Sequence, residues 1–291
     1  NSICGNTSRV VTVLGGNIIS NTTNSVCRLL DIAPASEGVG TNLVWAGVAA
    51  YIPRLGSLAQ GAGVVYAGIE DAKSGDGGPA LVPAGAEFLG RDYSTNRNHG
   101  STVGGVTAST NSPFAGELSA AFDGASGAID LGSTIGAKLV GATNITIESW
   151  VLMSAYIDNA PAVNVHVTNA DKSGVRIGSY QGKLSFFGRS EPSDSLQIVS
   201  LATSGPTNQW THFAAVVDYP NDSVILYLNG AAVKTQAVTF GASSYSGTPN
   251  HLNAGIGWSG AIYYWNGNIG DSRLWNVART PEQIAAAYTN R

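Results

Sequence analysis

Aromatic rings and amides able to grip a sugar are concentrated in one stretch, SSYSGTPNHLNAGIGWSGAIYYWNGN, which supplies Tyr245, Asn250, His251, Asn253, Trp258, Tyr263, Tyr264 and Trp265. A ring covers the apolar face of a pyranose while amides exchange hydrogen bonds with its hydroxyls. Tyr245, Asn250, Asn253, Trp258, Tyr263 and Tyr264 are therefore the predicted ligand-binding residues. Strand alternation cannot put the whole 263–265 run on one side, so at least one ring is expected to face outward. Ordinary edge packing or a subunit interface would use the same residue types, and the reading leans toward binding.

Other reactive groups are scattered. In QWTHFAAVVD, His212 shares a face with Trp210, Ala214 and Val216, where a satisfied sheet histidine is favoured over a ligand or acid–base group. Glu148 is the lone carboxylate of its strand, and Glu191 and Asp194 lie in a Pro/Ser-containing loop. NADKSG places Asn169, Asp171 and Ser173 as a calcium loop begins, but the twelfth position is Tyr180 rather than Glu, so a hairpin turn is expected. Glu70, Asp71 and Asp76 read as a solvated acidic loop, and no G-x-S-x-G elbow occurs.

The elements that would position these groups are strands. Charged residues make up only 12% of the 291 residues, too few for many exposed amphipathic helices, while 37 glycines suit turns. The net charge is −4 with basic residues scattered singly, which leaves no stripe for nucleic acid. No apolar run approaches a membrane span. The start Asn1-Ser2-Ile3-Cys4, without Met or a leader, is expected of a processed or truncated chain and points toward export or particle maturation. Cys4 and Cys27 are expected to form a disulfide contributing roughly 3 kcal/mol, the alternative being two reduced buried thiols.

Three regions are expected. Residues 1–100 carry short β-branched runs (RVVTVLGGNIIS, NLVWAGVAAYIP, GVVYAGIE) and form a smaller β-rich domain suited to assembly or anchoring. Residues 101–116 are polar and lack apolar periodicity, which suggests a linker. Residues 117–291 hold roughly a dozen strand signals, which two packed antiparallel sheets accommodate. Within NITIESWVLMS, Ile145, Ile147 and Ser149 share one face and Thr146, Glu148 and Trp150 the other. Trp150 and Trp210 are expected to fill the space between the sheets. Asn229-Gly230 marks a tight turn. Thr280 as N-cap, Pro281 at the first helical position and Gln283 closing a capping box predict a short helix whose Ile284, Ala287 and Tyr288 meet the sandwich.

In order, AFDG, ITIESWV, QWTHFAAVVD, VILYLNG, GIGW and GNIGDSRLWNVARTPEQIAAAY resemble the laminin G-like group of the concanavalin A-like lectin/glucanase sandwiches over residues 117–291. The resemblance implies an all-β, two-sheet antiparallel jelly roll ending in a short helix. It also implies that Asp271, before the last strand, is either a ligand of a structural calcium with Asp123 as a partner, or a turn cap. Glucanases of this fold carry acidic residues at alternate positions of one strand, which is missing here. For its polysaccharide lyases, His166, Arg176 and Tyr180 give a thin match. No enzyme is expected.

The leading expectation is a non-enzymatic protein of an extracellular, cell or virion surface whose sandwich binds a glycan or a surface protein. The alternative is a structural virion or filament subunit that self-assembles through the N-terminal region. A polysaccharide-degrading enzyme ranks third.

Overall fold

The computed structural model describes residues 100–114, 118–132, 134–168, 172–246, 252–254 and 263–289, with Leu89 and four short strands nearer the N-terminus. Cys4, Cys27, Asn250, His251 and Trp258 lie outside the described residues. The early strands are β1 (Val13–Leu14), β2 (Asn17–Ile18), β3 (Arg28–Leu29) and β4 (Leu43–Gly47). Then come β5 (Ser101–Val103), β6 (Thr107–Ser109), β7 (Ser119–Asp123), β8 (Ala128–Asp130) and the single helical turn α1 (Thr134–Ala137). The long strands are β9 (Asn144–Met153), β10 (Pro161–Thr168), β11 (Lys172–Tyr180) and β12 (Lys183–Gly188). They are followed by β13 (Gln197–Ser200), β14 (Thr211–Asp218), β15 (Ser223–Leu228) and β16 (Ala231–Ala237). The chain closes with β17 (Leu252–Ala254), β18 (Asn266–Trp275) and α2 (Pro281–Thr289).

Two antiparallel sheets carry the fold. One runs β13-β12-β11-β10-β17-β8-β5; the other runs β16-β15-β14-β9-β18-β7-β6, with β4 also paired to β18. Ile145, Ile147, Val151 and Met153 from β9 and Phe213, Ala215 and Val217 from β14 face Val163, Val165, Val175, Ile177, Leu184 and Phe186 from the opposite sheet. This is the two-residue alternation of strands that bury one face in a common core. The outer faces are covered too: Thr146, Glu148 and Trp150 are buried although they point away from the core.

Residues 101–116, read from sequence as a linker, instead contribute an edge strand to each sheet. β5 pairs with β8 and β6 with β7. Short Ser/Thr/Gly strands at an edge bury little apolar surface, so they leave no periodic signal. The second departure lies further upstream. β18 pairs with β7 from Asn266 to Ile269, and from Ser272 onward its free edge is taken by β4, with Arg273 opposite Ala46 and Leu274 opposite Trp45. A segment of the first hundred residues is thus part of the sandwich sheet.

The β15–β16 connection is the Asn-Gly turn expected. Asn229 and Gly230 both have positive φ (50° and 81°), as a type I′ hairpin requires. Asn229 also ties the turn to β14, its amide N donating to His212 O and its side-chain Oδ1 accepting from His212 N. α2 lies over this tip, so close that a Cβ on Gly230 would sit 3.1 Å from Tyr288 Cβ. The predicted capping box is formed: Gln283 N donates to Thr280 Oγ1 and Thr280 N donates to Gln283 Oε1. Ile284 is buried against Ala214, Val216 and Tyr227 on the outer face of the sheet.

A chain lacking residues 1–47 would lose β4, leaving the backbone of β18 beyond the bulge unpaired on that side. Hydrogen exchange should accelerate selectively among residues 272–275, while residues 266–269, still paired with β7, keep their protection. Unchanged protection at 272–275 would contradict the pairing.

Candidate functional site

Each sheet carries a polar constellation on its outer face. On the eight-stranded sheet the centre is Glu148, 1% exposed. Its Oε1 accepts from Trp275 Nε1 (3.0 Å) and from Arg279 Nη1, and His212 Nε2 lies 3.5 Å from Oε2. Arg279 rests over the Trp275 ring (4.6 Å) and donates from Nη2 to Gln283 O. Thr146 Oγ1 donates to Val277 O and accepts from Arg279 N, pinning the connection between β18 and α2. Trp150 stacks on Tyr288 (5.3 Å, 20° between planes) and meets Phe114 edge-on.

A β-bulge makes this arrangement possible. Gly270 pairs with Trp150 and Arg273 with Glu148, so three steps along β18 match two along β9. The extra residue shifts the alternation: Ile269 and Leu274 both reach the core, while Arg273 sits opposite Glu148 on the outer face. Asp271 occupies the bulge with φ of 40°, a conformation Asp tolerates better than most side chains. Both its carboxylate oxygens receive hydrogen bonds from Arg273, at 3.2 and 3.0 Å.

Electrostatics follow from burial. Desolvation pushes Glu148 upward, but Arg279, His212 and Arg273 outweigh it and hold the carboxyl at about 2. Burial raises Asp271 despite the pull of Arg273. Trp150, His212 and Arg279 meet α2 and anchor it to the sheet.

The predicted calcium pair is not brought together. Asp123 lies opposite Asn266 at one end of β18, Asp271 beyond the opposite end of the β7 pairing. Asp123 is exposed and caps its own turn, Oδ1 accepting from the amides of Ala125, Ser126 and Gly127. Those backbone donors, led by Ser126, hold its carboxyl far below the usual carboxylate range. Asp271 sits inside the bulge with both its oxygens accepting from the Arg273 guanidinium. Donor sets already directed at amides and arginine do not fit a cation. Among the described residues no three His, Cys, Asp or Glu side chains converge as metal ligands.

The second constellation crosses the seven-stranded sheet. Direct register partners form one continuous row: Ile198, Phe187, Arg176, Asn164, Asn253, Asp130 and Ser101. In antiparallel pairs such partners share a face at roughly 5 Å spacing. The central carbon of the Arg176 guanidinium lies over Phe187, 3.6 Å from the ring centroid, and Tyr180 meets the same ring edge-on at 5.5 Å. Asn164 is fully buried, and neither its Nδ2 nor its Oδ1 has a hydrogen-bond partner. A buried amide without partners costs about 1–3 kcal/mol, so a whole unpaired side chain marks a place where a ligand would complete the bonding. Burial lowers Arg176 to about 9, opposed by Tyr263 and Asp158. Tyr263 and Tyr264 are half-buried, and Tyr180 is half-buried above the turn.

Of the predicted binding residues, the register places Asn253 between Asn164 and Asp130, and Tyr263 interacts with Arg176. Tyr245 is not a surface platform: it is fully buried in the core beside Tyr219, with its amide N donating to Ala142 O. Trp265 is also buried, its Nε1 donating to Leu152 O, while the other two rings of the 263–265 run are half-buried. Trp150 and Trp210 do not fill the inter-sheet space; Trp150 lies on the outer face and Trp210 donates to Asn111 Oδ1. Sequence reasoning missed Asn164, Phe187 and the role of Arg176. The available signal was a polar residue in mid-strand, VNVHV and GVRIG, on the faces opposite the valines and isoleucine.

Comparisons with known proteins agree with the architecture. A laminin G-like family model described as the Concanavalin A-like lectin/glucanases superfamily matches residues 123–285. No curated protein matches the chain in sequence. Domain 4 of AbnA, a GH43 extracellular arabinanase from Geobacillus stearothermophilus, in complex with arabinotriose, is similar with a TM-score of 0.50 and 20% identity, over 69% of this chain and 93% of that one. The botulinum neurotoxin serotype C1 binding domain aligns with a TM-score of 0.52 and 16% identity, over 68% of this chain and 48% of that one. A structure of botulinum neurotoxin type C, whose cell entry depends on interaction with two ganglioside molecules, gives 0.51 and 16%, over 68% and 47%. At these identities the likeness is one of fold.

The Glu148 anchor should make the protein acid-sensitive in a defined window. A carboxyl held at about 2 against an ordinary 4.5 contributes stability that is complete above the unfolded value and lost as pH falls through 4.5 toward 2, on the order of 3 kcal/mol. Urea midpoints measured between pH 6 and 2 should show that loss. Glu148→Gln, which leaves Arg279 without its counter-charge, should be less stable at pH 7 by about 3–5 kcal/mol and show a shallower acid slope. An unchanged slope would remove Glu148 from the anchor.

Proposed function

The chain belongs to the concanavalin A-like lectin/glucanase superfamily, and from that premise we propose that it is a non-enzymatic recognition protein of an extracellular or particle surface. Its sandwich binds glycan on the outer face of the seven-stranded sheet. The observation that carries this reading is the Asn164 amide, buried with donor and acceptor both unpaired in a row between Arg176 and Asn253. A primary amide offers one donor and one acceptor about as far apart as two neighbouring hydroxyls of a sugar ring. Phe187 and Tyr180 add aromatic surface beside it. The arabinanase domain of similar fold is in complex with arabinotriose, and the neurotoxin, of which 47% aligns, depends on ganglioside interaction for cell entry, which is consistent with a glycan here.

The buried carboxylates are committed to the fold. Among the described residues these are Glu148 and Asp271, both engaged by arginines on the opposite outer face. Paired acids flanking a scissile bond would have to come from elsewhere.

The test is a panel of immobilised neutral and acidic oligosaccharides probed with the parent chain and with Asn164→Ala. The parent should bind at least one glycan, leave it chemically intact, and lose about tenfold or more in affinity on the substitution, with its thermal melting profile retained. A parent chain that binds none of them would end the glycan reading, and glycan cleavage would end the non-enzymatic one.

A further inference from the structure

We propose that the ligand is an oligosaccharide rather than a single sugar, and that the Tyr156 ring stacks on a unit beyond the one that reaches Asn164. This rests on the reading that the seven-stranded sheet binds glycan. Three observations carry it. The first is exposure: among the described residues Tyr156 is the one exposed aromatic, at 39%, and every other ring is buried or half-buried. A lone exposed ring is ordinary when it is free to move. This one is not.

Its tether is the second. The Tyr156 hydroxyl donates to Asp158 Oδ1 (2.7 Å), and the same oxygen accepts from the amides of Asn159 (3.0 Å) and Gln181 (2.9 Å). Burial and the bond to Asp158 push the phenol up to about 12, so it stays a protonated donor at neutral pH. The segment that carries it is fixed to β11: Ser179 Oγ donates to Ile157 O, Ser179 N donates to Ala160 O, and Ile157 packs on the core. A ring ordered before binding loses little entropy when the apolar face of a sugar is laid on it. The third is continuity with the site. Gln181 Nε2 donates to Tyr180 OH (3.3 Å), and Tyr180 meets Phe187 edge-on. Contacts therefore run unbroken from Phe187, in the row with Asn164, through Tyr180, Gln181 and Asp158 to Tyr156. Along β11, Tyr180 stands four residues beyond Arg176, the register partner of Asn164, which is about 13 Å of strand. A single sugar is too short for that interval, whereas a chain of several units covers it.

The full chain should be titrated calorimetrically with arabinose and its di- to hexasaccharides, and with the matching cello- and galacto-oligosaccharides. In a series that binds, affinity should rise about tenfold or more from the disaccharide to the longer members, as one stacked ring would contribute. Tyr156→Ala should abolish that rise and leave disaccharide affinity unchanged, whereas Asn164→Ala should weaken every length. Tyr156→Phe keeps the ring and loses its tie to Asp158, and should reduce the rise severalfold. Affinity that does not change with chain length, or a rise that survives Tyr156→Ala, overturns the Tyr156 assignment and leaves the glycan reading standing. Absence of binding at every length in every series removes both.

Discussion

Burying the Glu148 carboxylate on the outer face of β9 commits much of the eight-stranded sheet to supplying its counter-charges. A carboxylate so enclosed is tolerable only with donors in fixed positions, because an unpaired charge there would cost several kcal/mol. The groups around it come from different parts of the chain: Trp275 of β18 and Arg279 of the connection to α2 donate to it, and His212 of β14 lies 3.5 Å away. The bulge at Asp271 is what places the second half of β18 in phase with that need. Once Arg279 is fixed, its Nη2 holds the first turn of α2 through Gln283 O, and the helix can lay Ile284 on Ala214 and Val216. A single electrostatic demand thereby sets strand phase, helix position and the sealing of one outer face.

The two outer faces differ in how their polar groups are used. Around Glu148, charged groups meet charged groups and a helix lies on top. Across the seven-stranded sheet, the Asn164 amide is buried without partners beside a ring-stacked guanidinium. Glu148 Oε2, His212 Nδ1 and Trp150 Nε1 are also left without hydrogen bonds, but each belongs to a group held by an ion pair or a ring contact, whereas the Asn164 side chain has no partner at either atom. That contrast, rather than the number of aromatic residues in any stretch, separates anchor from site.

Much of the architecture was legible because strand alternation is a local code. Ile145 and Ile147 against Glu148 and Trp150, Phe213 against His212, the Asn229-Gly230 turn and the Thr280–Gln283 capping box were all readable from adjacent residues. What failed depended on pairing across the chain. Alternation gives two faces and does not say which is the core, so Trp150 was assigned to the space between sheets although it covers the outside. Tyr245 was read as a sugar platform because it stands in a polar, glycine-rich stretch, whereas tertiary packing places its ring beside Tyr219. Asp271 required knowledge of a bulge, which exists only relative to β9. Asn164 and Arg176 become a site only when β10 and β11 are set in register, and β4 belongs to the sandwich only once β18 is in place.

That last strand has a consequence for how the protein is made. β18 lies in the middle of its sheet, bonded to β9 on one side and to β7 and then β4 on the other, yet it comes after all of them in the chain. Until it leaves the ribosome, β9 presents an unpaired edge flanked by Ile145, Ile147 and Val151, and β7 and β4 have no partner there. The β9–β14–β15–β16 and β6–β7 pairings can form without it, but joining them waits on contacts of very long sequence separation, the circumstance in which chains fold slowly and exposed strand edges seek the wrong company. The low charge of the sequence offers few gatekeeper residues to shield those edges in the interval.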